Sequence, residues 1–290
     1  MKRSLSVLYR GSLSSCNYAC GYCPFAKREN SADEMRRDAD ELARFVDWCA
    51  NWPGPLRILF TPWGEALVRA HYRQAMIRLS HLPNVRRVAA QTHLGIATAW
   101  LDEVNPASFA LWCTWHPDQA PLPAFLRRCD ALRQRGLRFS VGMVALREHL
   151  DQIERLRAAL PAEVPVWLNA YDQRGPGYYR DDEIARLRAI DRHFDFNLSP
   201  PPSRGAPCDA GHVAISVDGD GNARRCHFVA DALGNLYDGS LRLAAAPSPC
   251  PNDCCDCFIG YVHRTDLPVA KAYAGGRLER VPQPSSIVTL

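Results

Sequence analysis

The sequence predicts an α/β fold, a partial (β/α)6 TIM-like barrel followed by a small extension with a β-hairpin and many cysteines. Between residues 4 and 197, six short β-rich stretches alternate with longer amphipathic ones, and the pattern stops at the Pro/Gly-rich residues 199–207. Strand–helix units in series form a parallel sheet with right-handed crossovers. Eight units close a full barrel, so six indicate a partial one whose working face lies at the carboxyl ends of its strands.

The predicted strands of the barrel are Ser4–Arg10, Leu56–Thr61, Val85–Gln91, Ser108–Trp115, Leu137–Ala145 and Val164–Tyr171. The predicted helices are Met35–Trp52, Glu65–Ser80, Ile96–Glu103, Pro123–Gly136, Leu146–Leu160 and Asp181–Arg192. Beyond the barrel, His212–Val217 and Ala223–Cys226, joined by the turn Asp218–Asn222, are typical of a β-hairpin. The expected organisation is a barrel over residues 1–198, a linker over 199–207, a cysteine-rich extension over 208–262 and a tail over 263–290.

Composition narrows the class of protein. The 290 residues are 47% hydrophobic and 23% charged, close to globular averages, which excludes a disordered chain, collagen or a coiled coil. No apolar run approaches the ~20 residues that span a bilayer, and the first ten residues lack the apolar core of a signal peptide. We therefore expect a cytoplasmic protein. The net charge of +4, without a dense basic block, argues against nucleic acid as a partner.

Cysteine is the informative residue type. The chain has twelve cysteines, and without a secretory signal their clusters indicate metal sites rather than disulfides. Cys49, Cys113 and Cys129 stand alone in apolar stretches and are expected in the core. Three cysteines lie together near the N-terminus and six near the C-terminus.

The front cysteines are Cys16, Cys20 and Cys23, directly after the first strand. Three thiolates on one short loop can hold three corners of a [4Fe–4S] cube and leave its fourth iron open. Structural zinc sites take four ligands, and no nearby fourth cysteine or histidine follows. The spacing therefore predicts an iron–sulfur cluster with an open position at the working face of the barrel.

These residues resemble the radical S-adenosylmethionine (radical SAM) superfamily. The Cys-x3-Cys-x2-Cys spacing is that family's signature, with an aromatic residue before the last cysteine, and Pro62-Trp63-Gly64-Glu65 resembles its Gly-Gly-Glu element. In the family the backbone of this element receives the amino group of S-adenosylmethionine (AdoMet). The resemblance covers about residues 4–197 and implies a set of cofactor-binding residues, namely Tyr22, Trp63, Gly64, Glu65, Gln91, Thr92 and Asn169.

The resemblance also implies a reaction. The reduced cluster, supplied by an external reductant such as flavodoxin or ferredoxin, passes one electron to AdoMet chelated at the open iron. AdoMet is cleaved to methionine and a 5′-deoxyadenosyl radical, which takes a hydrogen atom from the substrate. The protein positions the substrate and excludes water.

The rear cysteines flank the predicted hairpin or lie in the stretch after it. Cys208 and Cys226 bracket the hairpin, and we expect them, with Cys257, to bind one auxiliary [4Fe–4S] cluster; zinc is the alternative. The fourth ligand is one of Cys250, Cys254 and Cys255. The segment is similar to the Twitch half of the SPASM extensions on many radical SAM enzymes, which implies roles in electron transfer, substrate ligation or sulfur donation.

Further candidates lie at the strand ends. Alternation in the fourth strand places Trp112, Thr114 and His116 on one side, so His116, like His93 after the third strand, is a candidate for orienting substrate or transferring a proton. The alternative for both is a hydrogen-bonded histidine that closes a loop. Glu65 either caps a helix or shapes the cofactor site. At the end of the sixth strand, Asn169, Tyr171 and Asp172 are candidates for ribose or adenine contacts, and Arg174 for an anionic group.

The sequence is compatible with three functions. A small metabolite, sugar or nucleoside substrate is favoured, because the first strand begins near residue 4 and leaves no room for the leader-binding module of many peptide maturases. Ribosomal-peptide maturation by thioether or carbon–carbon crosslinks is the alternative substrate class. A non-catalytic iron–sulfur sensor or electron carrier is the alternative outside enzymes.

Overall fold

The computed structural model describes residues 3–26, 28–171 and 177–283. Its β-strands are β1 Leu5–Arg10, β2 Leu56–Phe60, β3 Val85–Thr92, β4 Phe109–Thr114, β5 Arg138–Ala145, β6 Val166–Ala170, β7 Pro207–Cys208, β8 Ala214–Asp218, β9 Asn222–Cys226, β10 Val229–Asn235 and β11 Ser248–Pro249. Its α-helices are α1 Ala32–Asn51, α2 Ala70–Ser80, α3 Leu122–Gln134, α4 Leu150–Ala159, α5 Asp181–Ile190, α6 Asp195–Leu198, α7 Phe258–Tyr261 and α8 Pro268–Ala272. None of these helices is long and apolar enough to cross a membrane.

Strands β1 to β6 form the predicted parallel sheet in sequence order. The α/β fold class is therefore confirmed. The hairpin β8–β9 does not stand apart from this sheet: β8 pairs in parallel with the free edge of β1, and β9 and β10 extend the sheet in antiparallel fashion. The extension thus continues the barrel wall past its first strand and carries Cys226 on β9, while Cys208 lies in a separate two-stranded sheet formed by β7 and β11.

Three helix predictions differ from the structure, and one of them, Leu146–Leu160, begins with a 3-10 turn over Arg147–His149 before α4. The predicted helix Glu65–Ser80 is divided into a 3-10 turn, Ala66–Val68, and α2, because Arg69 adopts extended backbone between them. The predicted helix Ile96–Glu103 is only a 3-10 helix over Ala99–Glu103. In contrast, α1 begins three residues before its predicted start, because Ser31 forms a capping box with Glu34 that satisfies the first backbone N–H groups.

The two faces of the sheet have different partners. Alternate side chains on the outer face, such as Val7, Tyr9 and Ile58, pack against the helices in the main core. The inner face, which includes Leu8 and Trp112, packs instead against residues 258–281, which we call the C-terminal plug. Most of this plug lies in the predicted tail, which therefore fills the barrel interior over its described residues.

Charged groups fix the plug in place. The buried Glu279 carboxylate lies 2.8 Å from Arg138 and 3.4 Å from Arg87, both on inner positions of the sheet. Arg280 is fully buried, with its guanidinium 4.5 Å from the ring centre of Trp167 and 4.4 Å from that of Phe258. These cation–π contacts and ion pairs close the interior below the carboxyl ends of the strands, so the open space lies above the plug.

Candidate active site

A cavity of about 490 Å³ opens at the carboxyl ends of β2, β3 and β4, beside the loop that follows β1. Most of the predicted site residues line this one cavity, namely Cys16, Cys20, Cys23, Trp63, Gly64, Glu65, Gln91, Thr92, His93 and His116. Thr114 joins them, and Trp112 lies deeper on the inner face, as the alternation of β4 predicts. The predicted working face of the barrel is therefore where the structure places its cysteines.

The cysteine loop is held by polar side chains behind it. The Asn30 side-chain oxygen accepts hydrogen bonds from the backbone N–H groups of Ser14, at 2.8 Å, and Ser15, at 2.9 Å. The buried carboxylate of Asp38 accepts from the backbone N–H of Leu13 at 2.9 Å. These bonds satisfy backbone donors that an irregular loop would otherwise leave buried and unpaired, so the loop keeps one path to its first cysteine.

Gly64 allows the Gly-Gly-Glu-like element to contact the cysteine loop. The backbone N–H of Gly64 donates to the Leu13 carbonyl at 3.3 Å, and that of Glu65 to the Ser15 carbonyl at 3.1 Å. A Cβ atom on Gly64 would lie 2.1 Å from the Ser15 carbonyl oxygen, so only glycine fits without moving backbone. The glycine in this element therefore has a packing reason that its sequence position alone does not reveal.

Glu65 caps the turn that follows it and also lines the cavity. Its buried carboxylate accepts from the backbone N–H of Leu67 at 3.1 Å, which caps the 3-10 turn. It also accepts from the Thr92 hydroxyl at 2.8 Å and from the backbone N–H of His93 at 2.9 Å. One carboxylate thus joins the ends of β2 and β3 and shapes the wall of the cavity.

His93 is held at both ring nitrogens. Nδ1 accepts from the backbone N–H of Gly95 at 2.9 Å, so Nε2 carries the proton and donates to the Asn17 side-chain oxygen at 2.9 Å. The ring stacks on Tyr18, with centroids 3.7 Å apart, and burial lowers the pKa of the imidazole. These contacts fit the loop-closing alternative: His93 acts on the cysteine loop through Asn17 and Tyr18.

His116 faces the cavity in a different way. Its Nδ1 lies 2.7 Å from the Tyr22 hydroxyl and 3.4 Å from the Cys20 Sγ. Burial, with smaller contributions from His93 and His149, lowers the pKa of His116 to about 4, so the ring is neutral at pH 7. Tyr22 does not itself line the cavity; its hydroxyl positions the histidine that does.

Other predicted residues lie elsewhere. The Asn169 side-chain oxygen accepts a hydrogen bond from Arg280 at 2.7 Å, which ties this residue to the C-terminal plug. Asp172 and Arg174 lie outside the described residues. Sequence reasoning also missed cavity-lining residues, among them Phe25 and Arg28 in the loop after the third cysteine. The sequence signal for both residues was their position, within five residues after Cys23 of the cysteine motif.

The front thiols fit a cluster with an open position. Burial, followed by the other two cysteines, raises the pKa of Cys20 to about 11, so this thiol is protonated until a metal replaces the proton. The backbone N–H of Tyr18 already points at the Cys16 Sγ, at 3.3 Å. Backbone donors of this kind stabilise a thiolate. Three thiols around one cavity, without a fourth from the described residues that line it, match a cube with one free iron.

Four of the rear thiols interact with one another. Burial raises the pKa of Cys255, and the thiols of Cys226, Cys250 and Cys208, with a smaller contribution from Cys257, raise it further. Burial also raises the pKa of Cys208 to about 11. The backbone N–H of Cys250 donates to Ala206 at 2.9 Å, which brings that segment beside Cys208. Thiols from separate segments of the extension therefore lie near enough to influence one another's pKa.

Cys254 and Cys257 differ from that group of four. Cys254 is exposed and lies beside Asp256. Cys257 adjoins Cys255, and its thiol also interacts with Arg280 and Arg10 on the barrel side. Since adjacent side chains diverge, Cys254 points to solvent where Cys255 points inward.

A single metal ion has no prepared site. Within residues 3–26, 28–171 and 177–283, no three His, Cys, Asp or Glu side chains lie close enough to bind one ion. A [4Fe–4S] cube is larger than an ion, so its thiolates stand farther apart than the four ligands of tetrahedral zinc. The all-thiol donor sets at both regions fit a [4Fe–4S] cube, and the three front thiols are one fewer than the four ligands of structural zinc.

Comparison with known proteins identifies the fold. No protein-family model and no curated protein matches the sequence. Among solved structures, a hexahistidine-tagged anSMEcpe with bound AdoMet superposes with a TM-score of 0.54 at 15% identity, covering 82% of this chain and 79% of that chain. Native anSMEcpe with bound AdoMet and Cp18Cys peptide gives a TM-score of 0.53 at 14% identity, covering 82% and 78%. The chain therefore has the fold of radical SAM enzymes, as its motifs predict.

Proposed function

We propose that this chain is a radical SAM enzyme that reductively cleaves AdoMet and abstracts hydrogen from a small metabolite, sugar or nucleoside. One observation carries the proposal: the cysteines of the Cys-x3-Cys-x2-Cys motif and the Gly-Gly-Glu-like element line the same cavity at the carboxyl ends of the strands. The fold is shared with AdoMet-bound structures. A soluble one-electron reductant such as flavodoxin or ferredoxin and a cytoplasmic location belong to this proposal.

In this proposal, different residues of the cavity bind the cluster and AdoMet. Cys16, Cys20 and Cys23 would hold a [4Fe–4S] cluster, which when bound and reduced supplies the electron for cleavage of AdoMet. The element that contains Gly64 would present its backbone to the amino group of AdoMet. Gln91 lies alongside, with its side-chain oxygen fixed by the Thr61 hydroxyl at 2.7 Å.

Two aromatic residues border the cavity mouth. Trp63 and Phe25 are 42% and 46% exposed, and their ring centres lie 4.6 Å apart. Large exposed aromatic rings at a cavity mouth are typical of ligand contact. In this proposal they cover the cofactor and keep bulk water from the reacting centre.

The second cluster is part of the proposal. We assign its ligands to Cys208, Cys226, Cys250 and Cys255, because the first three contribute most, after burial, to the raised pKa of Cys255. This set keeps two of the three ligands expected from the sequence and replaces Cys257, whose thiol adjoins Arg10 and Arg280. The auxiliary cluster would transfer an electron, ligate substrate or donate sulfur.

A peptide is the second candidate substrate. The observation in its favour is that one structure with this fold is described with a bound peptide. A crosslink-forming maturase would use the same AdoMet cavity. A peptide and a small metabolite are separated by which of them stimulates AdoMet cleavage by the same preparation.

The test is anaerobic reconstitution of the full chain beside a Cys16/Cys20/Cys23→Ala variant. Two cubes predict about eight irons per wild-type chain and about four per variant chain. With a strong reductant, 5′-deoxyadenosine should form from AdoMet in the wild type alone. Iron incorporation without AdoMet cleavage would support the sensor and contradict the enzyme. About four irons in the wild type and none in the variant would remove the auxiliary cluster.

A further inference from the structure

A second cavity adjoins the one assigned to AdoMet. It has a volume of about 530 Å³ and lies between the carboxyl end of β1 and the turn that joins β8 to β9. Trp63 and Arg28 line both cavities, so the two adjoin at these side chains. The position, on the same working face and beside the extension, is suited to a substrate that must lie next to the cofactor.

Arg10 is the distinctive residue of this cavity. It follows Leu8 on the inner face of β1, and its Nε donates to the Thr61 carbonyl at 2.9 Å. The guanidinium lies 3.9 Å from the ring centre of Trp63. Burial lowers its pKa to about 10, which still leaves it charged at pH 7. Among the described residues, no carboxylate lies within ion-pair distance of Arg10, and a partly buried charge of this kind is costly without an anion.

Two further groups in the same cavity have no polar partner among the described residues. The Nε2 atom of His227 is buried and has no hydrogen-bond partner in the described part of the chain. Arg224 also lines the cavity, and its guanidinium forms no ion pair within the described ranges. Two guanidiniums and an imidazole thus face one space.

The other charged groups that line the cavity are already engaged. Asp220 pairs with Arg37 at 2.9 Å, and Arg28 pairs with Glu34 at 2.8 Å. The Asp218 carboxylate accepts hydrogen bonds from both the backbone and the side chain of Asn222, at 2.9 and 3.0 Å. The acidic side chains of this cavity, Asp218 and Asp220, therefore already have partners. The guanidiniums of Arg10 and Arg224 have no carboxylate partner in the described part of the chain.

We propose that this cavity binds a carboxylate group of the substrate through Arg10, Arg224 and His227, with an apolar part of the substrate against Trp63. The planar fork of Arg10 suits a carboxylate, which can accept two parallel hydrogen bonds. A phosphate dianion fits less well, because the Asp218 and Asp220 carboxylates line the same cavity and would repel two negative charges more strongly than the single charge of a carboxylate. The inference rests on the proposed function, since the cavity is a substrate site only if its neighbour binds AdoMet.

The experiment uses the reconstituted full chain and 4-iodobenzoate as the probe. Calorimetry measures its affinity, and the anomalous signal of iodine locates it in crystals. Charged hydrogen bonds contribute about 1.5–3 kcal/mol, so Arg10→Met should weaken binding about tenfold or more. Arg224→Gln, at an exposed position that does not threaten folding, should weaken it severalfold. Arg155→Gln, on the exposed side of α4, is the matched control and should leave it unchanged.

Several outcomes would overturn the proposal. The neutral 4-iodobenzamide should bind much more weakly than the probe, so equal binding would remove the role of charge. Tighter binding of phenyl phosphate would replace the carboxylate by a phosphate. Displacement of 4-iodobenzoate by AdoMet would assign the arginines to the cofactor's own carboxylate. AdoMet binding by the wild type is measured on the same samples, so failure of the proposed function is seen separately from failure of this site.

Discussion

The two cysteine regions of this chain bring their thiols together in different ways. The three front cysteines lie within eight residues of one loop, and that loop is fixed by the ends of neighbouring barrel strands. The four interacting rear thiols come from β7, β9 and the stretch after β11, which are distant in sequence. A local motif can be recognised from spacing, whereas a ligand set assembled from several segments depends on how those segments fold.

The surroundings of the two regions differ as well. The front loop has Gly64, Glu65 and His93 on the barrel side, all engaged in hydrogen bonds with it or beside it. The rear region relies on individual contacts, such as the buried Arg264, which donates to the carbonyls of Pro201 and Pro202. We therefore expect the front cysteines to keep their positions without metal, because the barrel holds their loop. The positions of the rear cysteines should depend more on the bound metal.

The largest expected effect concerns Gly64→Ala. Because the new Cβ would lie 2.1 Å from the Ser15 carbonyl oxygen, the cysteine loop must shift. We expect iron to fall from about eight to about four per chain, with loss of AdoMet cleavage. Gly21→Ala, in the same loop but with no atom within 4 Å of its Cβ, is the control and should retain both. Full activity of Gly64→Ala would show that the front loop is not held as described.

The next effect distinguishes neighbouring rear cysteines. In the Cys16/Cys20/Cys23→Ala background only the rear cluster remains, with about four irons. Cys255→Ser should remove nearly all of this iron, and Cys254→Ser should leave it in place, because only the first thiol lies among the other three. Iron and sulfide analysis gives the answer. The opposite result would reverse the ligand assignment.

Cys257→Ser tests the ligand that the sequence favoured. In the same background, we expect this variant to keep its iron, since the Cys257 thiol interacts with Arg280 and Arg10 and contributes least among the thiols to the raised pKa of Cys255. If the iron is lost, the expectation from the sequence holds and Cys257 belongs in the set. A change confined to the visible spectrum would not count as loss.

Removal of iron should affect amide protection differently in the rear cysteine region and in the barrel. Hydrogen exchange of the iron-free chain is compared with that of the reconstituted chain. We expect amides of residues 246–257 to lose protection without iron, because little regular structure holds this stretch. Amides of β3 and β4 should change little, because they lie in the middle of the sheet. Equal loss in both places would mean that the barrel also depends on metal.

The smallest expected effect is on the pH dependence of stability. It involves a buried histidine that contacts the C-terminal plug. Burial lowers the pKa of His193 to about 4, and its Nδ1 lies 3.2 Å from the Tyr273 hydroxyl of the plug. Between that value and the unfolded value of about 6.5, the unfolded chain binds the proton and the folded chain does not, so stability falls as pH falls. His193→Gln should reduce the loss between pH 7 and pH 5 by about 1–2 kcal/mol.

Urea unfolding of the iron-free chain at both pH values measures this effect. His81→Gln, at an exposed histidine outside the plug, is the matched control and should leave the pH dependence of stability as it is in the wild type. An unchanged pH dependence in His193→Gln would show that the plug does not hold this imidazole neutral.

Sequence reasoning succeeded where contacts are periodic or local. Alternation in β4 places Thr114 and His116 at the cavity, as predicted, since side chains of a strand face opposite sides in turn. The helix predicted over Ile96–Glu103 was wrong in type, because apolar periodicity does not fix the hydrogen-bonding pattern of so short a segment. The same alternation in β1 would have pointed Arg10 into the barrel, but nothing local marks it as unpaired.

By itself, the sequence determined the parallel barrel and the cysteine motif of the front loop, because each depends on residues close together in the chain. Only the tertiary structure decided that the hairpin joins the edge of β1, that residues 258–281 fill the interior, and which rear thiols meet. It alone showed that Arg10 lacks an acidic partner within the described residues. These features depend on contacts between distant segments, whose geometry is set by the packing of the whole sheet and not by any local pattern.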